Sequence, residues 1–286
     1  MRSPPLSIAW PRKANMPDVD YILGHSPAEI RRLKLQAGIL KPITERLLRE
    51  AGVAPGMRVL DLGCGAGDVA LLAADMVGPN GAVVGIDRNG DALSAACSRA
   101  RGAGHANVEF REGAAEDFVD PAPFDLAIGR YVLIHQADPT NFIRSAVSHV
   151  RPHGLIAFHE IAIYGECRAL PPVPLWEQCW NWVATAFRSV MVHPDAAGRM
   201  TAYFHDAGLK RPTIFCETPV GAGPDSPLYG WLACTLRSVL PQLEKIGVST
   251  AAEVDIDTLE DRLRDAASTV HSQVLGPMQV CGWTRL

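Results

Sequence analysis

From Arg58 onward the chain alternates between two rhythms. Short, nearly continuous apolar runs (RVLDL, AVVGID, NVEF, FDLAIG and GLIAFHE) start near residues 58, 82, 107, 124 and 154. Such runs read as strands buried on both faces. Between them, apolar residues recur at helical spacing over Asp68 to Met76, Asp91 to Arg101 and Thr140 to Val150. Strand and helix in alternation predict a parallel sheet with helices on both faces. Upstream, Ser26-Pro27-Ala28-Glu29 is a capping box with proline at the first helical position, predicting a helix to about Gln36. A second helix is expected from Pro42 to Glu50, ended by Gly52.

After Glu160 the alternation pauses. A proline cluster (Pro171, Pro172, Pro174) precedes Trp176, Trp180, Trp182 and Phe187, which together suggest an aromatic cap. A helix over Asp195 to Ala207, a strand in RPTIFCETPV, helices near 226–245 and 257–268 and a last strand in SQVLGPMQVCGWTRL complete the expected elements.

Composition narrows the function. The 286 residues are 48% hydrophobic and 20% charged, a globular mixture with ample material for a core. A net charge of -4 and no basic stripe argue against a nucleic-acid binder. The basic, proline-rich first 17 residues are expected to be flexible, and their apolar stretch is too short for a signal peptide. No run approaches a membrane span. The seven cysteines form no Cys-x-x-Cys pair, which fits reduced thiols in a cytoplasm. No metal-ligand spacing such as H-E-x-x-H occurs.

The chemistry concentrates at VLDLGCGAGDVA, residues 59–70, where a strand runs through a glycine loop into a helix. A dinucleotide fingerprint would place a third glycine where Asp68 stands, and a Walker loop would need Gly-Lys-Ser/Thr. Asp61 and Asp68 at the loop suit a cationic ligand better than a phosphate.

Asp61-Leu62-Gly63-Cys64-Gly65-Ala66-Gly67 resembles the first motif, D/E-x-G-x-G-x-G, of the class I S-adenosylmethionine-dependent methyltransferases. Asp87, twenty residues past Gly67, ends the second strand where that family places the acid for the ribose hydroxyls. Glu112-Gly113-Ala114-Ala115-Glu116-Asp117 follows the third strand, where the adenine would lie, although the family often has Asp or Asn at the place of Ala114. Arg130-Tyr131-Val132-Leu133-Ile134-His135 is similar to the segment lining the cofactor's sulfonium end. The likeness covers residues 20–160 and is nearest the small-molecule, ubiquinone/menaquinone-biosynthesis branch.

The resemblance implies a Rossmann-like, seven-stranded, mostly parallel sheet with helices on both faces, N-terminal helices and a helical cap after strand five. It implies one domain over 18–286, with a lid (18–56), a cofactor core (57–160), a substrate cap (161–194) and a completing region (195–286). The cofactor would be S-adenosyl-L-methionine. Its expected contacts are Asp61, Gly63, Cys64, Gly65, Gly67, Asp87, Arg88, Ala115, Glu116 and Arg130, with Tyr21 and Gln36 closing from the N-terminal side. His159 and Glu160 end strand five at its carboxyl end, where ligands bind in such sheets; with His135 they are the candidate bases. The expected partner is a small, partly apolar substrate rather than nucleic acid or membrane, with a homodimer as the assembly to test. The alternative is a non-catalytic, S-adenosylmethionine-binding regulator. A third reading, a nicotinamide oxidoreductase, is weakened by Asp68.

Overall fold

The computed structural model describes residues 27–164 and 167–286, with side chains from residue 31 onward. In chain order the elements are α1 (Pro27–Ala51), β1 (Arg58–Leu62), α2 (Asp68–Val77), β2 (Ala82–Asp87), α3 (Gly90–Ala103), β3 (Val108–Glu112) and β4 (Phe124–Arg130). A short 3-10 turn, Leu133–His135, leads to α4 (Pro139–Ser148) and β5 (Val150–Ile161). Then come β6 (Ala169–Leu170), α5 (Pro174–Val190), α6 (Ala196–Asp206), β7 (Thr213–Glu217) and β8 (Val220–Ala222). The series ends with α7 (Pro227–Lys245), α8 (Ala251–Val254), α9 (Leu259–Thr269), β9 (Gln273–Leu275) and β10 (Gln279–Arg285).

Among the described residues, seven strands form one sheet in the order β3-β2-β1-β4-β5-β10-β7. The first five are parallel, and β10 runs antiparallel between β5 and β7. The order reverses beside β1, which opens a crevice at the carboxyl ends of β1, β2 and β4.

Strand periodicity sorts the core into two layers. Val59, Leu126, Ile128, Leu155 and Ala157 point to the side covered by α1 and α2, where Leu40, Ile43, Leu47, Val69 and Ala73 are buried against them. Leu60, Leu62, Ala127, Ile156 and Phe158 point to the opposite side, covered by α4, α6 and the aromatic cap. The same parity extends to the carboxyl edge. Asp61, Arg130 and His159 belong to the α1 side, and Glu160 belongs to the cap side.

Three elements depart from the sequence-based expectation. The two helices predicted before β1 are one 25-residue helix that passes through Pro42. Buried Leu40, Ile43, Leu47 and Leu48 lie on both sides of the proline, so tertiary packing overrides the lost backbone bond. The last strand is two strands separated by Pro277; β9 joins β6 and β8 in a small separate sheet. The cap is larger than 161–194, because α5 packs on α7 and α9 from the completing region. Its centre is aromatic: Trp180 meets Trp176 at 6.1 Å and Trp231 at 5.6 Å between ring centroids. Arg31 ties α1 to α9 through a two-pronged pair with Glu260. No helix among the described residues is long and apolar enough to cross a membrane.

Candidate active site

The three loop glycines all have positive φ, yet they serve different ends. A Cβ on Gly63 would stand 2.6 Å from Val132 Cγ1, and one on Gly67 would stand 2.9 Å from Phe110 Cζ. These two glycines make room for the protein's own packing. A Cβ on Gly65 would meet nothing within 4 Å. Gly65 is therefore the loop glycine that leaves bare backbone open to a ligand. Cys64 turns its thiol into the core, where a Cβ on Gly85 would lie 2.9 Å from it, and offers a ligand backbone only.

Asp87 at the end of β2 grips this loop. Its Oδ2 accepts from the Gly65 amide at 2.7 Å and its Oδ1 from the Asn89 amide at 2.9 Å. A carboxylate has about four acceptor positions, so each oxygen keeps capacity for a ribose hydroxyl. Beyond β3, Gly113 is open on its Cα side, and the Ala115 carbonyl is held by Ser145 Oγ and His149 Nε2. Arg88 and Glu116, both expected to contact cofactor, face each other at 3.6 Å across the rim. Gln36 lies on α1 in the stripe Arg32, Gln36, Leu40, Thr44 and accepts a bond from Arg32 at 2.7 Å. Tyr21 lies outside the described residues.

Asp61 is the exceptional acid. It is 1% exposed, and neither carboxylate oxygen has a partner in full hydrogen-bond geometry, the Ala70 amide of α2 lying only in weaker range. Burial pushes its pKa up to about 8, against the pull of Arg130. A buried carboxylate beside open loop backbone suits a ligand that brings an ammonium group, as the zwitterionic amino-acid end of S-adenosylmethionine does.

Arg130, an expected cofactor contact, is engaged by the protein's own side chains. Its guanidinium donates to Asp68 Oδ2 at 3.1 Å and to Thr44 Oγ1 at 3.3 Å, and Asp68 also pairs with Arg99 at 2.6 Å. Asp68 is thus compensated by two arginines, and its repulsion of a phosphate is weaker than the sequence suggests.

His159 does not suit the base role expected of it. It is fully buried, with Nδ1 3.0 Å from Thr44 Oγ1 and Nε2 3.1 Å from Gln279 Oε1. Gln279 Oε1 also accepts from Tyr131 Oη at 2.6 Å, while its Nε2 donates to the Pro277 carbonyl. The ring proton fits on Nε2, toward Gln279 Oε1, and Nδ1 is left as an acceptor that shares the single Thr44 hydroxyl proton with the Leu40 carbonyl, 3.2 Å from the same oxygen. Both nitrogens are then occupied. Burial, then the charge of Arg130, pushes the imidazole down to about 3, so the ring is neutral.

Glu160 differs. Its Oε1 accepts from the amides of Val132 at 2.9 Å and Leu133 at 2.8 Å, capping the 3-10 turn after β4. Its Oε2 is buried without a partner. Burial raises the carboxyl to about 8 despite the backbone bonds. Tyr203 of α6, whose buried hydroxyl also has no partner, lies within electrostatic range. His135 ends the same turn; the protein around its ring lowers its pKa, although solvent reaches the residue.

Sequence reasoning missed Thr44 and Gln279, and named Tyr131 only as part of the segment after strand four. Thr44 could have been found as the fourth member of the α1 stripe. Gln279 comes from a distant strand and leaves no local signal.

Residues 54–202 match the family model described as a methyltransferase domain. The ubiquinone biosynthesis O-methyltransferase of Paracidovorax citrulli is 35% identical over 114 residues, 38% of this chain and 47% of that protein. The 2-phytyl-1,4-naphtoquinone methyltransferase of Synechococcus elongatus is 36% identical over 121 residues, 42% and 52% of the two chains. The arsenite methyltransferase of Aquipseudomonas alcaligenes is 30% identical, covering 39% of each chain. The chain thus spans about half the length, or less, of these curated relatives. Among solved structures, the YcgJ protein of Bacillus subtilis superposes with a TM-score of 0.52 at 18% identity, covering 86% of this chain and 99% of that one. The [4+2]-cyclase SpnF gives 0.50 at 18% identity, covering 86% and 80%. At these identities the structures share the fold alone, but the sequence match takes in more than half of the chain, which belongs to the methyltransferase domain family.

Proposed function

We propose that the protein transfers the methyl group of S-adenosylmethionine to a small, partly apolar acceptor. The observation that carries this reading is the open face of Gly65 with the Asp87 carboxylate bonded to its amide. Bare backbone beside a two-oxygen acceptor suits a nucleoside with free ribose hydroxyls. The cofactor supplies an already activated methyl on a sulfonium. The protein's remaining work is alignment and exclusion of water.

In this reading Asp87 holds the ribose, Asp61 faces the ammonium of the amino-acid end, and the Ala115–Glu116 turn borders the adenine. Residues 18–56 act as the lid, and the cap built around 161–194 supplies an aromatic wall for the acceptor. Where the acceptor is a phenol or amine, a proton must leave. Glu160 Oε2 is the best-placed base once ionised, which its raised carboxyl reaches toward pH 8, since it is unpartnered and on the cap side, whereas His159 is committed to its neighbours. The fold of SpnF in a cyclase shows that architecture does not decide the reaction, so the site carries the argument.

Calorimetric titration with S-adenosylhomocysteine and with NAD tests the reading. Binding of the first and not the second is expected; tighter NAD binding would overturn it. Incubation of labelled S-adenosylmethionine with candidate phenols and amines should then release S-adenosylhomocysteine, a product that a regulator would not make.

A further inference from the structure

Asp61 poses a problem that the fold by itself does not solve. It lies one residue from the end of β1, directly before the glycine loop, at 1% exposure with neither oxygen in a full hydrogen bond. An ionised carboxylate in that state is costly, and a protein relieves the cost by supplying a partner or by keeping the group neutral. The neighbours from every packed element give no full partner. From β2 comes Asp87 and from α2 comes Asp68, both of like charge. The Ala70 amide of α2 and Arg130 of β4 favour the ionised form, but Arg130 donates its bonds to Asp68 and Thr44. Cys64, next in the loop, holds its thiol protonated beside the acid.

We infer that Asp61 is a carboxylic acid in the free protein and sheds its proton when the cofactor's ammonium group docks, so that cofactor binding is coupled to proton release. This rests on the functional reading above. The bookkeeping of the step is simple: the carboxyl O–H bond breaks, the proton passes to solvent, and the resulting carboxylate accepts hydrogen bonds from the incoming ammonium. A nucleoside that lacks the amino-acid end has nothing to draw the proton off. Asp61 thereby becomes a residue that reads whether the amino-acid end is present.

The linkage has a definite sign. A free-state group titrating near 8 is mostly protonated at pH 7, so release of the larger part of a proton per bound ligand is expected there. Affinity for S-adenosylhomocysteine should therefore increase as pH rises, by up to about tenfold per unit well below the free-state pKa, and flatten above it.

The test is isothermal calorimetry at pH 7 in phosphate and in Tris, buffers of different ionisation enthalpy. S-adenosylhomocysteine on the unaltered protein should release the larger part of a proton. 5′-Methylthioadenosine, which lacks the amino-acid end, should release none. Asp61→Asn should bind S-adenosylhomocysteine without proton release. In parallel, carbon-13 carboxyl resonances of the ligand-free, unaltered protein should show Asp61 titrating well above the ordinary carboxylate range, a readout that holds even if the variant fails to fold. Binding without proton release, equal release by both ligands, or an Asp61 resonance titrating near 4 overturns the inference and leaves the cofactor reading standing. If S-adenosylhomocysteine does not bind at all, the cofactor reading fails and takes the inference with it.

Discussion

At the carboxyl edge of the sheet, adjacent residues of β5 have opposite fates. His159 points to the α1 side and enters a saturated chain running from Arg130 through Thr44, the imidazole and Gln279 to Tyr131. Glu160 points to the cap side, spends one oxygen on the backbone after β4 and keeps the other unpartnered among apolar and aromatic side chains. A saturated buried network fixes the positions of α1, β4 and β10 relative to one another. A half-used carboxyl retains capacity for a ligand. Buried polar residues at a strand end can thus be scaffold or chemistry, and the count of their unused bonds separates the two.

The largest expected effect probes the loop that both sides share. Gly65→Val should abolish S-adenosylhomocysteine binding in calorimetry; its side chain meets no atom within 4 Å, so the stability lost is only the strain of a β-branched residue at φ 50. Gly67→Val should lower the melting temperature further, since it adds to the same backbone strain a collision with Phe110. Equal loss of folding in both variants would erase the distinction between them.

Next in size is the chemical side of β5. Glu160→Gln should lower turnover of a phenolic or amine acceptor by about a hundred- to ten-thousandfold with cofactor affinity little changed, because Gln can still cap the turn. Full turnover in this variant would mean that alignment alone carries the reaction.

Asp87→Ala should weaken cofactor binding about ten- to a hundredfold, from the roughly 1.5–3 kcal/mol of hydrogen bonds to a charged group. An unchanged dissociation constant in a folded variant would remove Asp87 from the ribose.

His159→Phe tests the scaffold side. It leaves Thr44 and Gln279 unmatched, each costing about 1–3 kcal/mol, so chemical denaturation should show lower stability while turnover per folded molecule holds. A large fall in turnover at unchanged stability would return His159 to the chemistry.

A pH slope tests the cap side once more. Burial keeps the folded Glu160 carboxyl protonated up to about pH 8, while the unfolded one ionises near 4.5. Its stabilising contribution is full below about 4.5 and is lost as pH rises through 8. Glu160→Gln should therefore lose less stability than the unaltered protein between pH 5 and 8. Identical slopes would show that the carboxyl is ionised in the fold.

Much of this architecture could be read from the chain. The five parallel strands and the helices between them follow from apolar runs buried on both sides and from helical spacing. The glycine loop and Asp87 were equally visible, because their spacing is local. The division of labour among Gly63, Gly65 and Gly67 was not, since it depends on Val132 and Phe110 from other strands. His159 looked like a base for the same reason: a polar residue at a strand end is conspicuous, but Thr44 and Gln279, which occupy it, come from the two extremes of the described chain. The continuous α1 was hidden by Pro42, whose local penalty says nothing of the packing that outweighs it.

The insertion of β10 between β5 and β7 has a consequence for how the protein is made. Everything from α5 to β9 must be synthesised before the edge of β5 finds its partner. Until then a long, apolar strand presents unpaired backbone groups, the condition that invites association with other chains. Non-local pairing of this kind also slows folding. A nascent chain that has completed the family-matched stretch, residues 54–202, still carries that open edge, so the period between its emergence and the arrival of β10 is when the protein is most exposed to aggregation and most dependent on being shielded.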